Sequence, residues 1–250
     1  MTAALGSGGP SRRPVVPRAV VLDLDGVLVD SITVMRRAFQ QAYHEVVGPG
    51  PAPFDAYLPH LGRHLPVTLR LMGLPAAMYP AFVVASRALV HLVPACEGAA
   101  DLLDALRAAG ARLAIATGKV RERAEEVLEV TDLLHRVDAV VGSDEVEHGK
   151  PAPDIVRLAL RRLGIDPADA AAAVMVGDSS LDLRSGRAAG TRLAAALWGQ
   201  GARDELLACR PDLVAWSCRE LGTALGVRAP GGRPGVPPPA GADATRGRSR

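Results

Sequence analysis

Apolar and polar positions alternate along the chain in two rhythms. Ala19–Leu24 (AVVLDL) is a short apolar run closed by acids, and Arg112–Ala116, Ala139–Val141, Ala172–Val176 and Arg192–Ala195 are similar β-type runs. Between them lie stretches with helical spacing: Ala99–Ala109, Arg121–Leu134, Asp154–Leu163 and roughly Leu181–Ala189. Gly110, Gly164 and Gly190 follow three of these patterns, where a helix is expected to stop. Strands alternating with helices predict an α/β fold, a doubly wound parallel sheet of Rossmann-like type covered on both faces. Ligands of such sheets sit at the carboxyl ends of the strands.

Residues 31–95 break this rhythm. Ile32, Met35, Phe39 and Ala42 recur at helical spacing, further helical segments fall around Val67–Met72 and Ala81–Leu92, and no strand is evident. A structureless loop of that length would be unusual, so an inserted α-helical cap domain is expected. The resulting division is a tail at 1–18, a core from 19–30 and 96–226, the cap at 31–95, and a second tail at 227–250. The last segment has ten Gly or Pro in 24 residues and is expected to be disordered.

Composition narrows the possibilities. At 48% hydrophobic and 22% charged, the 250-residue chain can build a core. The formal charge of +2 conceals a body near −5 between two basic tails, and aromatics are only 3% of residues. No nucleic-acid partner is expected. No apolar run approaches a bilayer span and the N-terminus shows no secretory pattern, so no membrane partner and a cytoplasmic location are expected. Cys96, Cys209 and Cys218 form no C-x-x-C pair and read as free thiols. Of 29 basic residues only Lys119 and Lys150 are lysines, which singles out both as positions where a compact ammonium is wanted.

Four polar clusters follow predicted strands: Asp23-Leu24-Asp25-Gly26, Thr117-Gly118-Lys119, Gly149-Lys150-Pro151-Ala152-Pro153-Asp154 and Gly177-Asp178-Ser179-Ser180-Leu181-Asp182. Singly, each is an ordinary turn, a solvated lysine or a helix cap. Together, at one sheet edge, they suit phosphoryl transfer through a carboxylate. Period-two alternation puts Asp23 and Asp25 on one side of the strand, where they repel and call for a cation. Mg²⁺ on Asp23 and Asp178 would let a carboxylate approach a phosphate. Lys150, the Thr117 hydroxyl and the loop amides around Gly118 would hold phosphate oxygens. Asp23 would attack phosphorus, and Asp25 would protonate the leaving oxygen and then activate water.

VVLDLDGVLVDS, ATGK, GKPAPD and GDSSLDL resemble motifs I to IV of the haloacid-dehalogenase (HAD) superfamily, in the branch whose helical cap follows the first motif. The resemblance covers about residues 19–226 and implies a Mg²⁺-dependent phosphomonoesterase with a Rossmann-like core. It implies the same roles for Asp23, Asp25, Thr117, Lys150 and Asp178. It adds the backbone carbonyl of Asp25 as a metal ligand and Asp182 as an acid behind the metal or the lysine. Val27 stands where threonine is common. Asp25 argues against true dehalogenases, and the absence of lysine from residues 31–95 argues against phosphonatases; a phosphoglycolate phosphatase or hexose-phosphate mutase is the alternative.

The cap segments Pro53–Tyr57, His60–Arg63 and Met72–Pro75 resemble phosphatases associated with 3-amino-5-hydroxybenzoate synthesis in ansamycin-type antibiotic pathways. That resemblance implies a phosphorylated or nucleotide-linked aminosugar, a small sugar-like metabolite, as partner. Arg63 and His60 are candidates for contacting its leaving group, and a monomer or homodimer is expected.

Overall fold

The computed structural model describes residues 15–228. Its six strands, β1 (Ala19–Leu22), β2 (Arg112–Ala116), β3 (Ala139–Val141), β4 (Ala173–Gly177), β5 (Arg192–Ala196) and β6 (Leu213–Ala215), form one parallel sheet in the order β3-β2-β1-β4-β5-β6. Order reverses at β1, between β2 and β4, and this is the crevice where a doubly wound sheet places its ligand. Both faces are buried. Val20 and Leu22 enter one apolar layer, Ala19 and Val21 the other, so β1 is apolar throughout.

The insert after β1 holds α1 (Ile32–Val46), α2 (Phe54–Tyr57), α3 (Leu65–Leu71) and α4 (Met78–Ala88). It has its own apolar centre, in which the rings of Phe39, Phe54 and Tyr57 lie 5.3–5.6 Å apart and Met35, Leu69 and Met78 fill the space around them. Pro53–Tyr57 thus supplies packing: Phe54 and Tyr57 are buried. The core then continues through α5 (Ala99–Ala108), α6 (Arg121–Val130), α7 (Asp154–Arg162), α8 (Ser180–Ala189), α9 (Arg203–Ala208) and α10 (Cys218–Ala224).

Several boundaries differ from the sequence expectation. β1 ends at Leu22, although Asp23 N–H still donates to the Val176 carbonyl at 2.9 Å. Helix α6 ends at Val130, and Asp132 takes φ 58° just beyond it. Short β6, with α9 and α10, had no counterpart, because runs of three to seven residues carry too little periodicity to register. The expected tails lie mostly outside the described residues. At their inner ends, Arg18 N–H donates to the Ala172 carbonyl at 3.0 Å and Val227 is buried in the core.

Candidate active site

Register alone gathers three of the polar clusters. Leu22 of β1 is aligned with Ile115 of β2 and Val176 of β4. One or two residues further on, the chain presents Asp23, Thr117 and Asp178 from adjacent strand ends. Lys150 arrives from the loop between β3 and α7.

Lys150 is the hub. Its ammonium donates to Asp23 Oδ1 at 2.8 Å and to Asp182 Oδ1 at 2.5 Å, and its side chain and that of Asp182 are fully buried. Burial alone would lower its pKa, but Asp182 and Asp23 outweigh burial and keep it charged. Asp182 also caps α8. Ser179 Oγ accepts from Asp182 N–H at 3.3 Å, while Asp182 Oδ2 accepts from Ser179 N–H at 3.1 Å and from its hydroxyl at 2.6 Å. This reciprocal box fixes the carboxylate that in turn fixes the lysine.

Asp23, Asp178 and Asp182 each bring a carboxylate oxygen within 4.8 Å of the others. Burial, with Lys150 opposing and Asp182 and Asp25 adding repulsion, pushes Asp23 up to about 7. Burial, then Asp182 and Asp23, raise Asp178 well above the usual carboxylate range despite a 2.8 Å hydrogen bond from Gln200 N–H. Three buried carboxylates against one ammonium leave negative charge uncompensated, and all donors are oxygens. That set fits a hard divalent cation.

Close packing admits only glycine around Asp178. A Cβ on Gly26, whose φ is +78°, would lie 2.1 Å from Asp178 Oδ2, and one on Gly199 would lie 2.3 Å from Asp178 Cβ. The same turn at Gly26 changes the expected arrangement of Asp25. Because the strand stops at Leu22, period-two alternation no longer applies. Asp25 accepts from the Ser31 hydroxyl and is ion-paired with Lys119, while Asp23 faces Lys150. The two aspartates therefore meet different partners, although each still feels the other's charge.

Thr117 is buried, and its hydroxyl accepts from Lys119 N–H at 3.3 Å. Gly118 touches the cap: a Cβ there would lie 2.5 Å from the Gly62 carbonyl oxygen. Arg63 consequently lines the cavity between cap and core, together with Asp25 and Lys119. His60 is not brought to the carboxylates; it closes a short 3₁₀ turn and lines neither that cavity nor the cleft beside Asp178. Sequence reasoning passed over His64, Tyr79, Ser86 and Arg123 at the cavity, since none belongs to a spaced motif, and gave no role to Ser31, the last residue of the first motif. Lys119 carried a signal in the scarcity of lysine but received no role.

The fold and the carboxylate–lysine centre define a class. Residues 20–196 match the family model of haloacid dehalogenase-like hydrolases, and the chain belongs to that family of enzymes. Among its relatives, pyrophosphatase PpaX of Bacillus velezensis is 34% identical over 215 residues, covering 84% of this chain and 97% of that one. The probable phosphatase IndB of Dickeya dadantii is 33% identical, covering 81% of this chain and 90% of that protein. Among solved structures, CbbY of Rhodobacter sphaeroides in complex with phosphate aligns with a TM-score of 0.72 at 27% identity, covering 82% of this chain and 96% of that one. Among the described residues no helix is long and apolar enough to cross a membrane.

Proposed function

We propose that the protein is a Mg²⁺-dependent phosphatase of a small phosphorylated metabolite, working through an aspartyl phosphate on Asp23. The observation that carries this reading is the buried Lys150 ammonium shared by Asp23 and Asp182, with Asp178 beside them. Since Lys150 already engages Asp182, the carboxylates of Asp23 and Asp178 would hold the metal, with the Asp25 carbonyl as third protein ligand. Bound there, Mg²⁺ supplies positive charge between the nucleophilic carboxylate and the phosphate dianion.

The chain's own residues account for the rest. Asp23 attacks phosphorus as the ester oxygen departs with a proton from Asp25. Asp25, kept between the Ser31 hydroxyl and Lys119, then takes a proton from the water that hydrolyses the acyl phosphate. Lys150 and the Thr117 hydroxyl stabilise the equatorial oxygens, and Asp182 orients Lys150. The cap loop at Gly62–Arg63 closes on Gly118 and shields the centre from bulk water.

The names of the relatives, a pyrophosphatase and a phosphatase, support phosphate release. Of the cap segments that suggest an aminosugar phosphate of antibiotic biosynthesis, Phe54 packs in the cap interior while Tyr57, Leu61, Gly62 and Arg63 line the cavity; the substrate class supported by the relatives is a small phosphate ester or anhydride. The test is phosphate release from a panel of sugar phosphates, phosphoglycolate and pyrophosphate, with Mg²⁺ and with chelator. In parallel, Asp25→Asn is exposed to acetyl phosphate, whose leaving group needs no acid. Metal-dependent release, together with phosphorylated Asp23 accumulating in that variant by mass spectrometry, supports the mechanism. Full metal-independent release, or a phosphorylated residue other than Asp23, overturns it.

A further inference from the structure

The cavity between cap and core encloses about 80 Å³ and is lined by Asp25. On the mechanism above, Asp25 protonates the departing ester oxygen, so the group attached to that oxygen belongs in this cavity. The walls are mainly apolar. Val34 and Met35 come from α1, Phe82 and Val83 from α4, and Val90 and Val93 from the segment that leads from α4 back to the core. The polar groups of the lining are engaged with one another. Asp25 is ion-paired with Lys119 and accepts from the Ser31 hydroxyl. Arg123 is ion-paired with Glu126 and lies 3.5 Å from the Ser86 hydroxyl, which donates to the Val83 carbonyl at 3.1 Å. Burial outweighs the nearby Asp144 charge and lowers the pKa of His64, so its ring is uncharged near neutral pH. Burial, then repulsion from Asp25, raise Tyr57, whose hydroxyl keeps its proton. Arg63 Nε is buried without a hydrogen-bond partner among the described residues, but the Arg63 backbone packs on Gly118, next to Thr117, which assigns this cation to the phosphate.

Such a lining offers few partners to the hydroxyls of a sugar, and a hydroxyl buried without one is costly. A buried methylene, by contrast, is favourable wherever it displaces water. Size limits the occupant further: a dry apolar cavity of about 150 Å³ takes a benzene ring, so 80 Å³ suits a shorter chain. We propose that the leaving group is an unsubstituted alkyl chain of about four or five carbons, and that the substrates are monophosphates of small apolar alcohols. The products are then the free alcohol, which carries the proton from Asp25, and inorganic phosphate once water has cleared Asp23. This rests on the phosphatase reading and narrows its substrate class.

The test measures kcat/KM for phosphate release by the full-length protein with Mg²⁺ from ethyl, propyl, butyl and pentyl phosphate. A further substrate is 4-hydroxybutyl phosphate, in which a hydroxyl replaces the terminal methyl of the pentyl ester. Each buried methylene should raise the value about fourfold, so pentyl phosphate should exceed ethyl phosphate by roughly fiftyfold. The hydroxylated ester should fall about ten- to a hundredfold below the pentyl ester. Val83→Phe, which fills the cavity, should reduce the pentyl-to-ethyl ratio to within about fivefold. A wild-type pentyl-to-ethyl ratio near one, a hydroxylated ester that matches or outruns the pentyl ester, or a chain-length gain that survives Val83→Phe overturns the proposal. Should Val83→Phe fail to fold, the two wild-type ratios decide. The underlying reading is checked separately with acetyl phosphate, whose small leaving group needs no apolar wall. Metal-dependent turnover that Asp23→Asn abolishes supports that reading whatever the ratios. Absence of turnover on acetyl phosphate and on every ester overturns both.

Discussion

Replacing Lys150 by Met removes the ammonium shared by Asp23 and Asp182 while keeping most of the aliphatic stem. The loss is therefore electrostatic more than steric. Both carboxylates are almost fully buried, and stranding a buried charge by deleting its partner costs about 3–5 kcal/mol. For a chain of this size each kcal/mol is worth roughly 2–4 °C, so the melting temperature should fall by about 6–20 °C. The measurement belongs in chelator, so that no divalent ion takes the place of the ammonium. The loss should shrink as the pH falls, because Asp23, pushed up to about 7 even with Lys150 opposing burial, takes up a proton more readily without it and relieves the repulsion. Adding Asp182→Asn to the same chain should recover part of the loss, since one of the two stranded charges disappears. In the presence of Mg²⁺, kcat should fall by about 10²–10³, the usual consequence of removing one stabilising donor from a developing anion. A melting temperature within about 2 °C of wild type in chelator would refute the reasoning, because the carboxylates would then not depend on Lys150 for their charge balance.

Other expectations follow from the same geometry. Asp23→Asn should stay folded and lose at least about 10³-fold in turnover, read as phosphate release with Mg²⁺. Gly26→Ala should cost about 1–2 kcal/mol in backbone strain at φ +78°; because its Cβ meets Asp178 Oδ2, it should also raise the Mg²⁺ concentration for half-maximal rate. Gly118→Ala should push the cap loop off the core at the Gly62 carbonyl and raise KM more than it lowers kcat. For pH, the sign follows from Asp23, whose folded value near 7 exceeds its ordinary 3.8. The folded protein holds that proton more tightly, so this contribution to stability is complete below about pH 4 and is lost as pH rises through 7. In chelator the melting temperature should decline over that window, and Mg²⁺ should raise it more at pH 8 than at pH 5; an increment independent of pH would contradict the placement of the ion at these carboxylates.

The parallel sheet was legible in the sequence because each central strand is buried on both faces and reads as an unbroken apolar run. The four polar clusters were legible because each follows such a run, and strand ends are where a parallel sheet exposes its chemistry. Asp23, Thr117, Lys150 and Asp178 needed nothing more than that, whereas the place of Asp182 behind the lysine came from the family resemblance. The cap could be read as helical from Met35, Phe39 and Ala42, but its contacts could not.

Tertiary structure decided the remainder, because each remaining feature joins residues that no local rhythm connects. Asp25 turns to Ser31 and Lys119 because the chain leaves the strand at Leu22, a departure set by the tight turn at Gly26 against Asp178. His60, prominent in the sequence, lines neither cavity, while Arg123, an ordinary position on a charged helix, is buried against Ser86 of the cap. Sequence periodicity reports which face of an element is apolar. Which elements then enclose a common space depends on how cap and core meet, at Gly62 against Gly118 and at Ser86 against Arg123, and that is a property of long-range packing.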